Sequence, residues 1–89
     1  MYYKILIVKH YKNRTIYKGR YAILCSKNSL QTLNKIEKKL EANGFIRDPV
    51  YFYICFSKDD IQVCIDYHID DVFGTPYKSI DIEDLDKFL

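Results

Sequence analysis

Residues Tyr2 to His10 carry the run Ile5-Leu6-Ile7-Val8, four consecutive aliphatic side chains in a stretch of strand-forming composition. An extended chain sends successive side chains to opposite faces, so this run places apolar groups on both faces at once. Such a strand belongs inside a sheet, with a neighbour along each edge and a cover on each face. The rest of the chain has to supply those neighbours and covers.

The polar stretch Lys12-Asn13-Arg14-Thr15 reads as a turn, and Ile16 to Cys25 resumes extended character. Alternation puts Tyr17, Tyr21, Ile23 and Cys25 on one face of this second strand and Lys18, Arg20 and Ala22 on the other. The next segment changes period. Leu30, Leu33, Ile36 and Leu40 recur at spacings of three and four, Ser26 or Ser29 can cap the start, and Gly44 supplies a left-handed stop. Lys35, Lys38 and Lys39 fall on a wet, basic flank of that helix, with Gln31 and Asn34.

Asp48-Pro49 then breaks the chain, and Val50 to Phe56 and Ile61 to Ile69 form two alternating runs. Phe52, Ile54 and Phe56 share a face with Val63, Ile65 and Tyr67. Tyr51, Tyr53, Cys55, Gln62, Cys64, Asp66 and His68 share the other. A two-residue or a four-residue loop preserves this parity. Asp59-Asp60 is a poor type I′ pair, so the four-residue loop Ser57 to Asp60 is expected. Gly74-Thr75-Pro76 makes a further turn, Tyr77 to Ile80 reads as a short edge strand, and Asp81 can cap a final helical turn through Leu85, Phe88 and Leu89. The expected fold is one α+β domain over residues 1–89. It has an antiparallel sheet of four or five strands in ββαββ(β)α order, one long helix on one face and a short C-terminal helix. The second face of the first strand is expected to be covered by that short helix or by another copy of the chain.

Composition bounds the setting. The chain has 89 residues, 48% hydrophobic and 29% charged, which suits one folded core and excludes disorder. No apolar run approaches the roughly 20 residues of a spanning helix or the core of a signal peptide, and three cysteines without a CxxC pair read as reduced thiols. A cytoplasmic location is expected, with no membrane partner. Charge is divided: residues 1–49 hold 11 basic and 3 acidic groups, residues 50–89 hold 3 basic and 9 acidic. Two surfaces of opposite sign follow, each able to steer a charged partner.

Signatures of catalysis are missing. The three glycines never cluster, so neither a P-loop nor a dinucleotide fingerprint exists, and neither histidine, His10 or His68, has a nucleophile at motif spacing. Cys64, Asp66, His68 and Asp70 alternate along one strand face and are metal-ligand types. No second Cys/His pair completes a site, so they read as a solvated face with no metal and no cofactor.

Two binding readings remain. Tyr51 and Tyr53, beside Gln62, Asp66, His68, Asp70 and Asp71, form a candidate protein-binding surface, because tyrosine buries much area for little rotamer entropy. Lys9, Lys12, Arg14, Lys18 and Arg20, interleaved with tyrosines and joined by Lys35, Lys38 and Lys39, form a candidate nucleic-acid surface. Small size, an A/T-rich codon bias, absent catalytic motifs and polarised charge resemble, in type, small phage-encoded inhibitors of bacterial defence systems, anti-CRISPR proteins among them. The leading expectation is a non-enzymatic binder of a host protein or protein–nucleic acid complex, with a homodimer possible. In that reading an acidic stretch occupies a cationic groove. The alternative is a nucleic-acid-binding protein or small ribonuclease toxin that uses the basic first hairpin.

Overall fold

The computed structural model of the chain describes residues 1–25, 27–49 and 54–89. Ser26, Tyr51, Phe52 and Tyr53, which figure in the reading above, lie outside them. The chain is α+β, and its central strand is the one with two apolar faces. Strand β1 (Tyr2–Tyr11) pairs antiparallel with β2 (Arg14–Leu24) on one edge and with β5 (Ile61–His68) on the other. Helix α1 (Ser29–Ala42) follows β2, then come β3 (Ile46–Arg47) and β4 (Ile54–Lys58), which pairs with β5. After β5 come β6 (Lys78–Ser79) and a C-terminal 3-10 helix, Ile82–Phe88.

The sheet has six strands in the order β3-β4-β5-β1-β2-β6, rather than four or five. The additional strand is β3, a two-residue edge piece too short to leave a hydrophobic pattern, whereas β6 falls within the expected edge strand Tyr77 to Ile80. β6 runs parallel to β2, so the sheet is mixed.

One face of the sheet is the core. Ile5 and Ile7 of β1, Ile23 of β2, Phe56 of β4 and Val63 and Ile65 of β5 pack with Ile36 and Leu40 of α1 and with Leu85 of the 3-10 helix. The expected helix periodicity holds from Leu33 onward, but Leu30 is exposed. The N-cap is Asn28 rather than Ser29: its side chain accepts hydrogen bonds from the backbone N–H groups of Leu30 and Gln31 at 3.1 and 3.3 Å. The C-terminus closes as a Schellman motif. Phe45 N donates to Leu40 O and Gly44 N to Glu41 O, each at 3.0 Å, with Gly44 at φ +87.

Both helical elements lie on this one face, so of the two expected covers for the other face, the C-terminal helix or another copy of the chain, the helix is not it. Tyr21 and Phe88 rings meet at 4.4 Å, and Asp86 accepts hydrogen bonds from Lys39 Nζ at 2.7 Å and from Asn43 Nδ2 at 2.8 Å. These contacts pin the 3-10 helix to α1. Asp81 stands at its N-cap position without making a side-chain cap.

The second face carries Tyr2, Leu6, Val8, Ala22, Cys55 and Cys64. Tyr2, Val8, Ala22 and Cys55 are buried within the single chain, while Leu6 and Cys64 are partly buried. Tyr2 stacks on His68 with centroids 5.4 Å apart, and Lys4 Nζ lies 5.2 Å from the centre of the Tyr77 ring.

Both hairpins have tighter turns than expected. Lys58 pairs with Ile61 across the two-residue loop Asp59-Asp60, in place of the four-residue loop, and β2 starts at Arg14 directly after Lys12-Asn13. Asp59 and Lys12 take the left-handed φ values, 53 and 54, that such loops demand of a non-glycine residue. The facing pattern of the second hairpin stands: Ile54 opposes Ile65 and Phe56 opposes Val63.

Candidate nucleic-acid interface

Strands β1 and β2 outrun their neighbours. Pairing of β5 with β1 ends at Lys9↔Ile61, and β6 touches β2 only at Tyr21 and Ala22. Residues His10 to Lys18 therefore form a two-stranded arm past the sheet, every one of them exposed. The last lateral tie is backbone, His10 N to Asp60 O at 2.8 Å. At the root of the arm His10 Nε2 lies 3.2 Å from Gln62 Oε1 and Nδ1 lies 3.3 Å from Thr15 Oγ1. The tautomer protonated on Nε2 satisfies both contacts.

A β-bulge sets the chemistry of the arm. Ile7 opposes Gly19 whereas Val8 opposes Tyr17, so Lys18 is the extra residue and the facing pattern inverts there. Tyr17 thus leaves the face of Tyr21 and Ile23, where alternation from the sequence had put it, and stands 58% exposed on the face of Val8. Arg20 opposes Leu6 on that same face, and its guanidinium carbon sits 4.7 Å from the centre of the Tyr17 ring. Three positions apart on a regular strand, these two side chains would face opposite ways. Only the bulge lets the cation stack on the ring.

A Cβ at Gly19 would run into the far edge of the Tyr21 ring, which folds back over the strand toward Phe88, so the ring would have to shift. At the tip Lys12 Nζ stands 5.5 Å from the Tyr11 ring centre, and Tyr11, Lys12, Asn13 and Arg14 line a shallow hollow.

Among the described residues no carboxylate lies within ion-pair distance of Lys12, Arg14, Lys18 or Arg20. The other sequence-nominated cations are placed differently. Lys9 bridges to Asp60 at 3.6 Å and Lys39 to Asp86 at 2.7 Å. Lys35 and Lys38 are exposed on α1, which packs on the core face of the sheet, and Lys35 lines a cleft beside Asp81 and Glu83. The helix lysines do not extend the arm.

Of the nominated protein-binding residues, Gln62, Asp66 and His68 share one face of β5, and Asp70 and Asp71 follow the strand directly. Tyr51 and Tyr53 lie outside the described residues. Gln62 is engaged by His10, and Asp66 Oδ2 sits 3.8 Å from Lys4 Nζ and 3.4 Å from His68 Nε2. That imidazole Nε2 is buried without an aligned hydrogen-bond partner. Asp70 and Asp71 follow β5 in an exposed bend, where Asp71 Oδ1 accepts a hydrogen bond from Phe73 N at 3.3 Å. Ile69 and Phe73, 77% and 91% exposed, flank them and were not singled out from sequence, because apolar residues there read as ordinary core candidates. Cys64 opposes Cys55 rather than facing Asp66 or His68. Among the described residues no three Cys, His, Asp or Glu side chains form a metal-ligand set. Nor is any described helix long and apolar enough to cross a membrane.

The chain matches no protein-family profile, no curated protein and no solved structure.

Proposed function

We propose that the chain is a nucleic-acid-binding protein that grips the phosphate backbone with its first hairpin and stacks bases on the arm tyrosines. The observation that carries this reading is the set Lys12, Arg14 and Lys18 on a projecting ribbon with Arg20 at its base, with no described carboxylate within ion-pair distance of them and with Tyr11 and Tyr17 exposed among them. Protein surfaces ordinarily intersperse both signs of charge; a one-signed projection raises local potential and suits a polyanion. A ribbon of two strands also has the cross-section that a nucleic-acid groove admits.

Fluorescence anisotropy with labelled single-stranded and duplex oligonucleotides across a salt titration tests it. About four phosphate contacts give a slope of log K against log salt of roughly −3 to −4. Lys12→Glu with Arg14→Glu should weaken binding at least about tenfold and flatten that slope by about two. Tyr17→Ala should cost about 1–3 kcal/mol of affinity if a base stacks on the ring. Binding that ignores both salt and the charge reversals would sink the proposal.

A second reading, binding of a protein partner, is favoured by the segment 69–73. There Ile69 and Phe73 project as apolar groups beside the acidic pair Asp70 and Asp71. This is the acid-bearing surface that an antagonist of a cationic groove would use. Loss of partner capture on Phe73→Asp, with the arm double variant unaffected, would select this reading over the first.

A further inference from the structure

We propose that Cys55 and Cys64 are a modification site, forming a reversible cross-strand disulfide by exchange with a low-molecular-weight disulfide such as oxidised glutathione. The two residues are direct partners in the β4–β5 ladder, and their sulfurs lie 2.9 Å apart as free thiols. Their position in the ladder is what makes a bond feasible. Lys58 and Ile61 flank the two-residue turn and form a hydrogen-bonded pair. Counting outward, pairs alternate, so Cys55↔Cys64 falls on a non-hydrogen-bonded pair. There the Cα atoms approach to about 4.5 Å and the side chains lean together, within the range of about 4.4–6.8 Å over which disulfides span. The bond therefore needs rotation of two side chains and no slippage of the register.

The chemistry balances as two exchanges. The Cys64 thiolate attacks one sulfur of the small disulfide and releases one small thiolate. The Cys55 thiolate then attacks the Cys64 sulfur of the mixed disulfide and expels the second. The protein loses two protons and two electrons, and the small disulfide becomes two thiols. Cys64 is the entry point because it is half-buried whereas Cys55 is buried. Burial, reinforced by the adjacent Cys55 sulfur, pushes the Cys64 thiol up to about 12, so thiolate is scarce at neutral pH and the exchange is slow there. Cys25, on another strand end, has no described sulfur neighbour and serves as an internal control.

The test uses the full chain with Cys25→Ser as a parallel variant. Each is incubated with oxidised glutathione at mildly alkaline pH, quenched in acid, unfolded and alkylated, and the intact mass is read. The expected result is a monomer whose alkylatable thiols fall from three to one, and from two to none in the Cys25→Ser chain, with both restored by dithiothreitol. Proteolytic mapping should place the link between residues 55 and 64, and the oxidised chain should melt at a higher temperature than the reduced one. Retention of all thiols while a reference dithiol peptide in the same tube oxidises would overturn the proposal. A link through Cys25, or a cross-link that lowers the melting temperature, would overturn it too. The site lies in the sheet and away from the arm, so oligonucleotide binding is an independent readout.

Discussion

The two hairpins are built alike and used differently. Each joins its strands through two residues, and each places a non-glycine residue, Lys12 or Asp59, at left-handed φ. The β4–β5 hairpin lies within the sheet, with Phe56, Val63 and Ile65 buried under α1. Among the described residues, no strand pairs with the distal half of the β1–β2 hairpin and no helix lies over it. Beyond Lys9, β5 has turned back at Asp60, leaving β1 and β2 to continue as a bare ribbon. Like turns therefore yield core in one case and an exposed, basic, tyrosine-bearing arm in the other. What separates them is the length of the neighbours and the bulge at Lys18.

The comparison breaks most sharply in stability. Phe56→Ala should cost about 3–5 kcal/mol, because a fully buried ring leaves a cavity. Tyr17→Ala on the arm should change stability by no more than about 0.5 kcal/mol. Equal effects in urea unfolding would show that the arm packs on something. Gly19→Ala comes next: the added Cβ pushes the Tyr21 ring off Phe88, at an expected cost of about 1–3 kcal/mol and with altered aromatic circular dichroism.

The turns give a finer contrast. Asp59→Gly relieves a left-handed backbone in a hairpin that unfolds with the whole sheet, so it should raise global stability by up to about 1 kcal/mol. Lys12→Gly relieves the same conformation beyond the last lateral bond, where the ribbon can fray separately, and should move the global transition less. Amide exchange at residues 11–15 would report it instead.

The smallest effect belongs to the clamp between the 3-10 helix and α1. Hydrogen bonds from Lys39 and Asn43 hold the Asp86 carboxyl below its ordinary value. A group with a depressed folded pKa contributes stability above its unfolded pKa and loses it as pH falls through the folded one. Melting temperature should dip in that acidic window, and Asp86→Asn should remove the dip. Its solvent exposure keeps the effect slight.

How much was legible follows from the range of each interaction. The helix from Leu33 to Gly44 and the β4–β5 facing pattern were readable because periods of 3.6 and 2 are local. The basic character of the first hairpin was readable as well. Its actual site was not: Gly19 inside a strand pattern is the one local sign of a bulge, and alternation carried past it makes Tyr17 core and Arg20 its opposite. Lys9, Lys39 and the helix lysines were over-counted because their carboxylate partners or separate placement come from elements up to 51 residues away, as with Lys9 and Asp60.

The amino-acid order by itself determined that β1 is an interior strand, that one long helix follows the first hairpin, and that charge divides between the halves. Hydrophobic periodicity and local capping suffice for each. Tertiary structure alone decided that both helical elements share one face, that β1 and β2 outreach β5, that Tyr17 turns outward beneath Arg20, and that Cys55 meets Cys64. Those outcomes depend on register and on the relative lengths of strands distant in the chain, which no local pattern of side chains encodes.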